Sequence, residues 1–228
     1  MKISGLLKLT LLDFPTKTAC TVFTSGCNFK CPFCHNATLV RDDGGEIPME
    51  ELLSFLKKRQ GLLDGVAVSG GEPLMHRETE ELVRKIKEMG YLVKIDTNGS
   101  YPERLKYLVR EGLCDYVAMD IKSSPEGYER AAGCRVPLDK IKESVDFLMS
   151  GEVEYEFRTT VARGAVLPED FEGIGKWIFG ADKHYLQGFK DSGDILGEGV
   201  GAYSSEEMHS FLETVRKYIP TAELRGID

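Results

Sequence analysis

Gly65-Val-Ala-Val-Ser69, then Gly70-Gly71-Glu72-Pro73, then a helical pattern over residues 79–89, then Leu92-Val-Lys-Ile-Asp-Thr97: this stretch decides the fold. Two short β-rich runs bracket a segment whose apolar residues recur at helical spacing, the pattern of a strand, a helix and a returning parallel strand. The same alternation extends both ways. Upstream, a strand over residues 18–24 ends in Ser25-Gly26, and a helix runs from after Pro48 through Leu52, Leu53 and Leu56 to Gly61. Downstream the pattern predicts helix 102–111, strand 116–121, helix 138–149, strand 154–161, helix 168–179, a short strand 185–187, helix 204–218 and a closing strand near 222–225. About six strand–helix units are too few for a full eight-stranded barrel, so the expected fold is α/β: a partial (β/α) barrel or an open doubly wound sheet. In either architecture ligands sit at the carboxyl ends of the strands. Cys27, Gly70-Gly71-Glu72, Thr97-Asn98-Gly99, Lys122 and Arg158 all fall there.

A chain of 228 residues that is 42% hydrophobic is long enough to bury one sizeable core, and one domain over residues 1–228 is expected. The net charge of -8 leaves no basic field for tracking phosphates, which argues against nucleic acid as a partner. No apolar run approaches the roughly 20 residues that span a bilayer, and the N-terminus carries no basic segment leading into a long apolar stretch. The expectation is a cytoplasmic protein with no membrane partner. The glycine-rich stretch 188–201 is the expected mobile loop.

Of six cysteines, Cys27, Cys31 and Cys34 crowd into eight residues while Cys20, Cys114 and Cys134 stand alone. A disulfide framework would be spread more evenly. Chance placement of such a triad has a probability of about 0.002, taking positions as independent. A structural zinc site needs a fourth ligand. Cys20 lies within the first predicted strand, and His35 follows Cys34 too closely to chelate the same tetrahedral ion easily. Soft thiolates suit iron–sulfur clusters, and three ligands for a four-iron cluster leave one iron open to bind substrate.

With the aromatic Phe33 before its third cysteine, Cys27-Asn-Phe-Lys-Cys31-Pro-Phe-Cys34 resembles the signature of the radical S-adenosylmethionine superfamily. The resemblance implies one [4Fe-4S] cluster on Cys27, Cys31 and Cys34, with S-adenosyl-L-methionine chelating the open iron. The reduced cluster then splits the sulfonium, releasing methionine and a 5′-deoxyadenosyl radical that abstracts hydrogen. More narrowly, Gly26 to Asn36, with His35-Asn36 after the last cysteine, resembles the glycyl-radical-enzyme activases. Leu12-Asp-Phe-Pro15 resembles their anaerobic ribonucleotide reductase branch. The likeness continues in order through Ser69-Gly-Gly-Glu-Pro73, Asp96-Thr-Asn-Gly99, Met119-Asp-Ile-Lys122 and Arg158, and is weaker in the C-terminal quarter.

Each secondary motif has a physical reading. Gly70-Gly71 lets backbone approach a ligand that a β-carbon would block, with Glu72 placed to accept from an ammonium group. In the family this element meets the methionine amino group. Thr97 and Asn98 mark a strand-to-turn signal, and the resemblance puts their polar atoms near the cofactor ribose or a cation. Asp120 and Lys122 share one face of a strand, which the resemblance turns inward, with Lys122 near the cofactor carboxylate and Arg158 in a similar electrostatic part. His35 is expected beside the cluster or cofactor, or exposed on its loop. Pyruvate formate-lyase activases carry a last-strand histidine where this chain has Leu186-Gln-Gly-Phe-Lys190, so Gln187 or Lys190 is the candidate replacement. His76, His184, His209, Cys20, Cys114 and Cys134 read as structural or surface residues, and Trp177 as part of an apolar helix face.

The implied function is an activase that takes the α-hydrogen from a glycine on a partner enzyme, with anaerobic ribonucleotide reductase as the expected partner and flavodoxin or ferredoxin as the electron donor. No second cysteine group is present, so a ferredoxin-like insert is missing and one cluster must suffice. The rivals are a radical enzyme of the same superfamily acting on a small molecule, such as a 7-carboxy-7-deazaguanine synthase, a pyruvate formate-lyase activase, and a zinc-binding module.

Overall fold

The computed structural model describes residues 1–191 and 193–227. Ser192, inside the glycine-rich stretch expected to be mobile, lies outside the described residues. Eight strands form one sheet in chain order: β1 (Ile3–Thr10), β2 (Ala19–Thr24), β3 (Gly65–Gly70), β4 (Leu92–Thr97), β5 (Tyr116–Asp120), β6 (Glu154–Val161), β7 (His184–Gly188) and β8 (Glu223–Arg225). β1 runs antiparallel to β2, and every later neighbouring pair is parallel. The helices are α1 (Ala37–Arg41), α2 (Met49–Arg59), α3 (Thr79–Glu88), α4 (Pro102–Arg110), α5 (Tyr128–Ala132), α6 (Leu138–Met149), α7 (Asp170–Trp177) and α8 (Ser205–Arg216). Each parallel crossover carries a helix of eight residues or more, which gives the expected strand–helix repeat. The sheet stays open between β1 and β8 and is a partial barrel.

Two departures from the sequence reading matter. β1 precedes the first predicted strand; its pattern of exposure, with Leu7 45% and Leu9 60% exposed, lacks the one-face burial that marks a strand in sequence. Helix ends also move by one or two residues, as at α7, whose predicted span of 168–179 shortens to 170–177.

Alternation along each strand splits the sheet into two faces. Cys20 and Val22, Val66 and Val68, Val93 and Ile95, Val117 and Met119, and Phe157 are sealed in the main core. Their neighbours Ala67, Lys94, Ala118, Glu156 and Arg158 take the opposite parity and face inward. Phe14 closes the floor of that interior, packing with Ala19 and Leu92 and lying 6.0 Å from the Tyr116 ring. Gly65 makes room for it, since a β-carbon there would stand 2.8 Å from the Phe14 ring. Phe14 of the Leu12-Asp-Phe-Pro15 segment is thus the plug of the barrel, while Leu12 is exposed. Among the described residues no helix is long and apolar enough to cross a membrane.

Candidate active site

A cavity of about 460 Å³ opens at the carboxyl ends of the strands. Cys27, Cys31 and Cys34 all line it, on the loop between β2 and α1, and none forms a disulfide. The loop is held from several sides. The Lys30 N–H donates to the Ala132 carbonyl at 2.9 Å, and Gly133 presses so close that a β-carbon would lie 2.1 Å from the Lys30 carbonyl oxygen. Within the loop the Cys34 N–H donates to the Cys31 carbonyl at 3.0 Å. Cys27 Sγ accepts from the Phe29 N–H at 3.4 Å and from Asn98 Nδ2 at 3.9 Å. Burial pushes the Cys27 thiol up to about 12 and the Cys31 thiol up to about 11, while the Lys122 ammonium pulls both back toward thiolate. A bound metal displaces those protons, so metal affinity here depends on pH. Among the described residues no three His, Cys, Asp or Glu side chains converge to hold a single ion. A mononuclear zinc site therefore does not fit, whereas an iron–sulfur cluster would take each thiolate on a different iron and does not need the three sulfurs to meet at one ion.

A chain of alternating charges runs across β4, β5 and β6, and its Asp96, Asp120, Lys122 and Arg158 line the cavity. Lys94, 1% exposed, pairs with Asp96 Oδ1. Asp96 Oδ2 accepts from Ser69 Oγ at 2.9 Å and from Arg158 Nη1 at 3.4 Å. Arg158 Nε donates to Asp120 Oδ1, and Lys122 Nζ to Asp120 Oδ2, both at 2.9 Å. Three cations against two carboxylates leave one positive charge in excess. Burial would raise the Asp120 carboxyl, but Arg158 and Lys122 outweigh it and hold the group well below the usual carboxylate range. Burial likewise opposes charge on Lys122 and Arg158, and Asp120 overcomes it, holding both above their ordinary values.

Gly70 and Gly71 line the cavity, but the structure gives their smallness a different cause from the expected approach of a ligand. A β-carbon on Gly71 would stand 1.9 Å from the Gly26 carbonyl oxygen, and one on Gly70, whose φ is +118°, would stand 2.3 Å from the Thr24 carbonyl oxygen. The pair seats the end of β3 against the backbone leading into Cys27, where the Glu72 N–H donates to the Gly26 carbonyl at 2.9 Å. Fully buried and absent from the cavity wall, the Glu72 carboxylate accepts from the Asn98 N–H at 2.7 Å, Thr97 Oγ1 at 2.8 Å and the Leu74 N–H at 3.0 Å. It organises the Thr97-Asn98 turn. Burial pushes it up to about 7 despite those donors.

The remaining expected residues gather as follows. Phe33, Thr97 and Asn98 line the cavity, as does His35 at its exposed rim, where desolvation and Lys122 draw its pKa down. Asn98 also bonds Asn28 Oδ1 at 3.0 Å, so its amide reaches the cysteine loop. Of the two candidate last-strand residues, Gln187 lines the cavity and Lys190 does not. Cys20 and Cys114 are buried away from it, while Cys134 borders the cysteine loop, its Sγ 3.6 Å from the Asn28 carbonyl. His184 is sealed in the outer core, His209 is exposed, and His76 bonds the Ser25 carbonyl at 2.7 Å. Sequence reasoning missed Lys94, Asp96 and Ser69 as one wall. The signal was present, because Lys94 and Asp96 alternate with Val93 and Ile95 as Asp120 and Lys122 do with Met119 and Ile121. Asp13 and Thr21, paired by a hydrogen bond on the β1–β2 side of the cavity, were missed as well.

The chain is 32% identical, over 99% of its own length and 96% of the relative's, to a Methanocaldococcus jannaschii protein provisionally named a glycyl-radical enzyme activating enzyme. A pyruvate formate-lyase-activating enzyme of Clostridium pasteurianum is 34% identical over 58% of this chain and 57% of that one. In fold the chain matches Streptococcus suis SuiB bound to its precursor peptide SuiA, with a TM-score of 0.71 and 15% identity over 90% of this chain and 48% of that one. Residues 21–177, from β2 with its cysteine loop to the end of α7, match the model of the radical SAM superfamily, and the chain, an enzyme, belongs to that family.

Proposed function

We propose that this enzyme generates a glycyl radical on a partner protein, that the partner is anaerobic ribonucleoside-triphosphate reductase, and that it works in the cytoplasm, where free thiols persist. The observation that carries the reading is the meeting of three free thiols and a cationic wall in one cavity, on a chain that matches an activating enzyme from end to end. Leu12-Asp-Phe-Pro15 supports the choice of partner, since the segment that resembles the reductase branch supplies both the floor and Asp13 of the cavity.

Cys27, Cys31 and Cys34 would each hold one iron of a single [4Fe-4S] cluster, leaving the fourth for S-adenosyl-L-methionine. When bound and reduced by flavodoxin or ferredoxin, the cluster supplies the electron that releases methionine and a 5′-deoxyadenosyl radical. This chain's residues do the binding and shielding. The excess positive charge of the Lys94–Lys122 array offsets the cofactor carboxylate, with Lys122 and Arg158 already held in place by Asp120. The cofactor ammonium would fall to Glu72 and the backbone around Gly70-Gly71, the glycine pair lining the cavity. Phe33, 4% exposed, excludes water beside the thiols, and Thr97, Asn98 and His35 border the same space.

The test is anaerobic incubation of the reconstituted, reduced enzyme with the reductase and S-adenosyl-L-methionine. A glycyl-radical doublet in electron paramagnetic resonance should appear on the reductase as 5′-deoxyadenosine accumulates in proportion, and deuterated glycine in the partner should pass deuterium to the deoxyadenosine. A silent reductase beside a responding second glycyl radical enzyme would refute the partner. Label entering deoxyadenosine only from a small molecule would refute the activase reading.

A further inference from the structure

Residues 194–201 lie beyond the span matched by the family model, yet they reach back across the chain to the cysteine loop. The Leu196 N–H donates to the Cys34 carbonyl at 3.1 Å, and the Gly197 N–H to the Pro32 carbonyl at 3.0 Å. Gly197 fits only without a side chain: a β-carbon there would stand 2.7 Å from Pro32 Cβ and 2.8 Å from Pro32 Cα. Asp194 Oδ2 accepts from the Thr38 N–H at 3.1 Å and from the Thr38 hydroxyl at 2.8 Å, and its carbonyl accepts from the Ala37 N–H at 3.4 Å. Asn36, the residue at the start of α1, makes no side-chain capping bond of its own. The first turn of the helix that follows the cysteines is therefore capped from a segment more than 150 residues away in sequence.

The far end of the segment is anchored too. The Arg163 N–H donates to the Gly201 carbonyl at 2.8 Å, and the Gly201 N–H to the Arg163 carbonyl at 3.3 Å. Gly164 packs against Gly199, where a β-carbon would lie 2.6 Å from the carbonyl oxygen. Arg163 is itself clamped by Glu207 at the start of α8 through bonds of 2.8 and 2.7 Å. A span tied to the turn after β6, and through Arg163 to α8, at one end thus grips both sides of Cys34 at the other.

Cys27 and Cys31 have supports of their own. The Gly26 N–H donates to the Leu39 carbonyl at 2.8 Å, and Lys30 is fixed to α5. Cys34 sits where the loop turns into a helix of only five residues, and the carbonyls flanking Phe33 are the groups that the segment holds. Fixing them limits where the third sulfur points, and groups that orient ligands set metal retention as strongly as the ligands' own chemistry does.

We propose that residues 194–201 are a latch that holds the cysteine loop in its ligating arrangement, with Asp194, Leu196 and Gly197 as positioning residues. The proposal rests on the reading of Cys27, Cys31 and Cys34 as cluster ligands. It is tested by following iron release to a ferrous chelator, under anaerobic conditions, from reconstituted wild type and from Asp194→Ala, Asp194→Asn and Gly197→Val. Asp194→Ala and Gly197→Val should release iron roughly ten-fold faster, and Asp194→Asn, which keeps an acceptor for Thr38, should stay near wild type. In the metal-free proteins, amide hydrogen exchange should accelerate over residues 31–41 in the fast-releasing variants and not in β3, β4 or β5. If Gly197→Val does not fold, the two Asp194 variants decide. Wild-type iron uptake with unchanged release and exchange in Asp194→Ala would overturn the latch alone. A wild type that takes up no iron would overturn the ligand reading, and the latch with it.

Discussion

On one side of β4, Val93 and Ile95 are fully sealed beneath the helices; one residue along, Lys94 and Asp96 point the other way and join a charged wall. β5 and β6 repeat the contrast, with Val117, Met119 and Phe157 outward and Ala118, Asp120, Glu156 and Arg158 inward. The outer residues are fully sealed and the inner charges keep only partial exposure, 15% at Arg158 and 27% at Asp120, so both faces are largely removed from water. What differs is partnership. Asp120 stays ionised because two cations touch it. His184, on the outer face, has no counter-ion, and burial pushes it down to about 3, which keeps it neutral. Its Nε2 lies 3.0 Å from Thr159 Oγ1, which already donates to the Ile121 carbonyl, so Nε2 carries the proton and Nδ1 has no partner. The outer face fixes the fold and admits polar groups only uncharged; the inner face keeps charges by pairing them, and so keeps a field in the cavity.

The sharpest way to break that contrast is Asp120→Ala. Removing the shared carboxylate leaves Lys122 without its partner and Arg158 with Asp96 alone, and the expected loss is up to about 3–5 kcal/mol, read from denaturant unfolding of the metal-free protein. Ile95→Val, one strand away on the outer face, should cost about 1 kcal/mol. Equal costs would mean that the inner wall is solvated and its charges need no pairing.

Gly71→Val probes the junction between the faces, where β3 meets the cysteine loop. A side chain there displaces the Gly26 carbonyl, so the variant should lose about 1–3 kcal/mol and iron content should fall together with cofactor affinity. Gly45, with open space around it, should accept alanine within about 0.5 kcal/mol. Intact iron with weakened cofactor binding in Gly71→Val would restore the simpler view that the glycine pair only clears a path for a ligand.

A smaller effect sharpens the outer-face side of the comparison. The folded-state value of His184 lies below its unfolded value of 6.5, so between the two the unfolded chain binds the extra proton. Stability from this group is complete above pH 6.5 and is lost as pH falls toward 3, at up to about 1.4 kcal/mol per pH unit. His184→Phe should flatten the acid limb of the stability curve relative to wild type. An unchanged slope would show that His184 gains a proton and a partner within the fold.

The outer face is also what sequence makes legible. Alternating apolar residues at Val66 and Val68 or Val93 and Ile95 announce strands because burial beneath helices demands them, and the strand–helix repeat follows. β1 escapes because it is an edge strand whose Leu7, on the cavity side, and Leu9 stay 45% and 60% exposed and pack into no core. In the site, the cysteine triad is legible because ligand spacing is local, and Asp120 with Lys122 because strand parity is local. The bonds of Glu72 to Thr97, Asn98 and Leu74 were not legible, because the direction of a side chain at a turn follows no period. The grip of Leu196 and Gly197 on Cys34 and Pro32 was beyond reach, since it depends on contacts between ends of the chain that carry no shared pattern.

The central claim is that the inner face, and not cysteine content as such, builds the metal site. Iron and sulfide are to be measured in anaerobically reconstituted wild type and in single alanine variants of all six cysteines. The account predicts about four iron and four sulfide per chain in wild type, no stable cluster after replacement of Cys27, Cys31 or Cys34, and wild-type content after replacement of Cys20, Cys114 or Cys134. Stoichiometric zinc without sulfide in wild type, or an equal loss of iron on replacing Cys114, which lies buried away from the cavity, would contradict it.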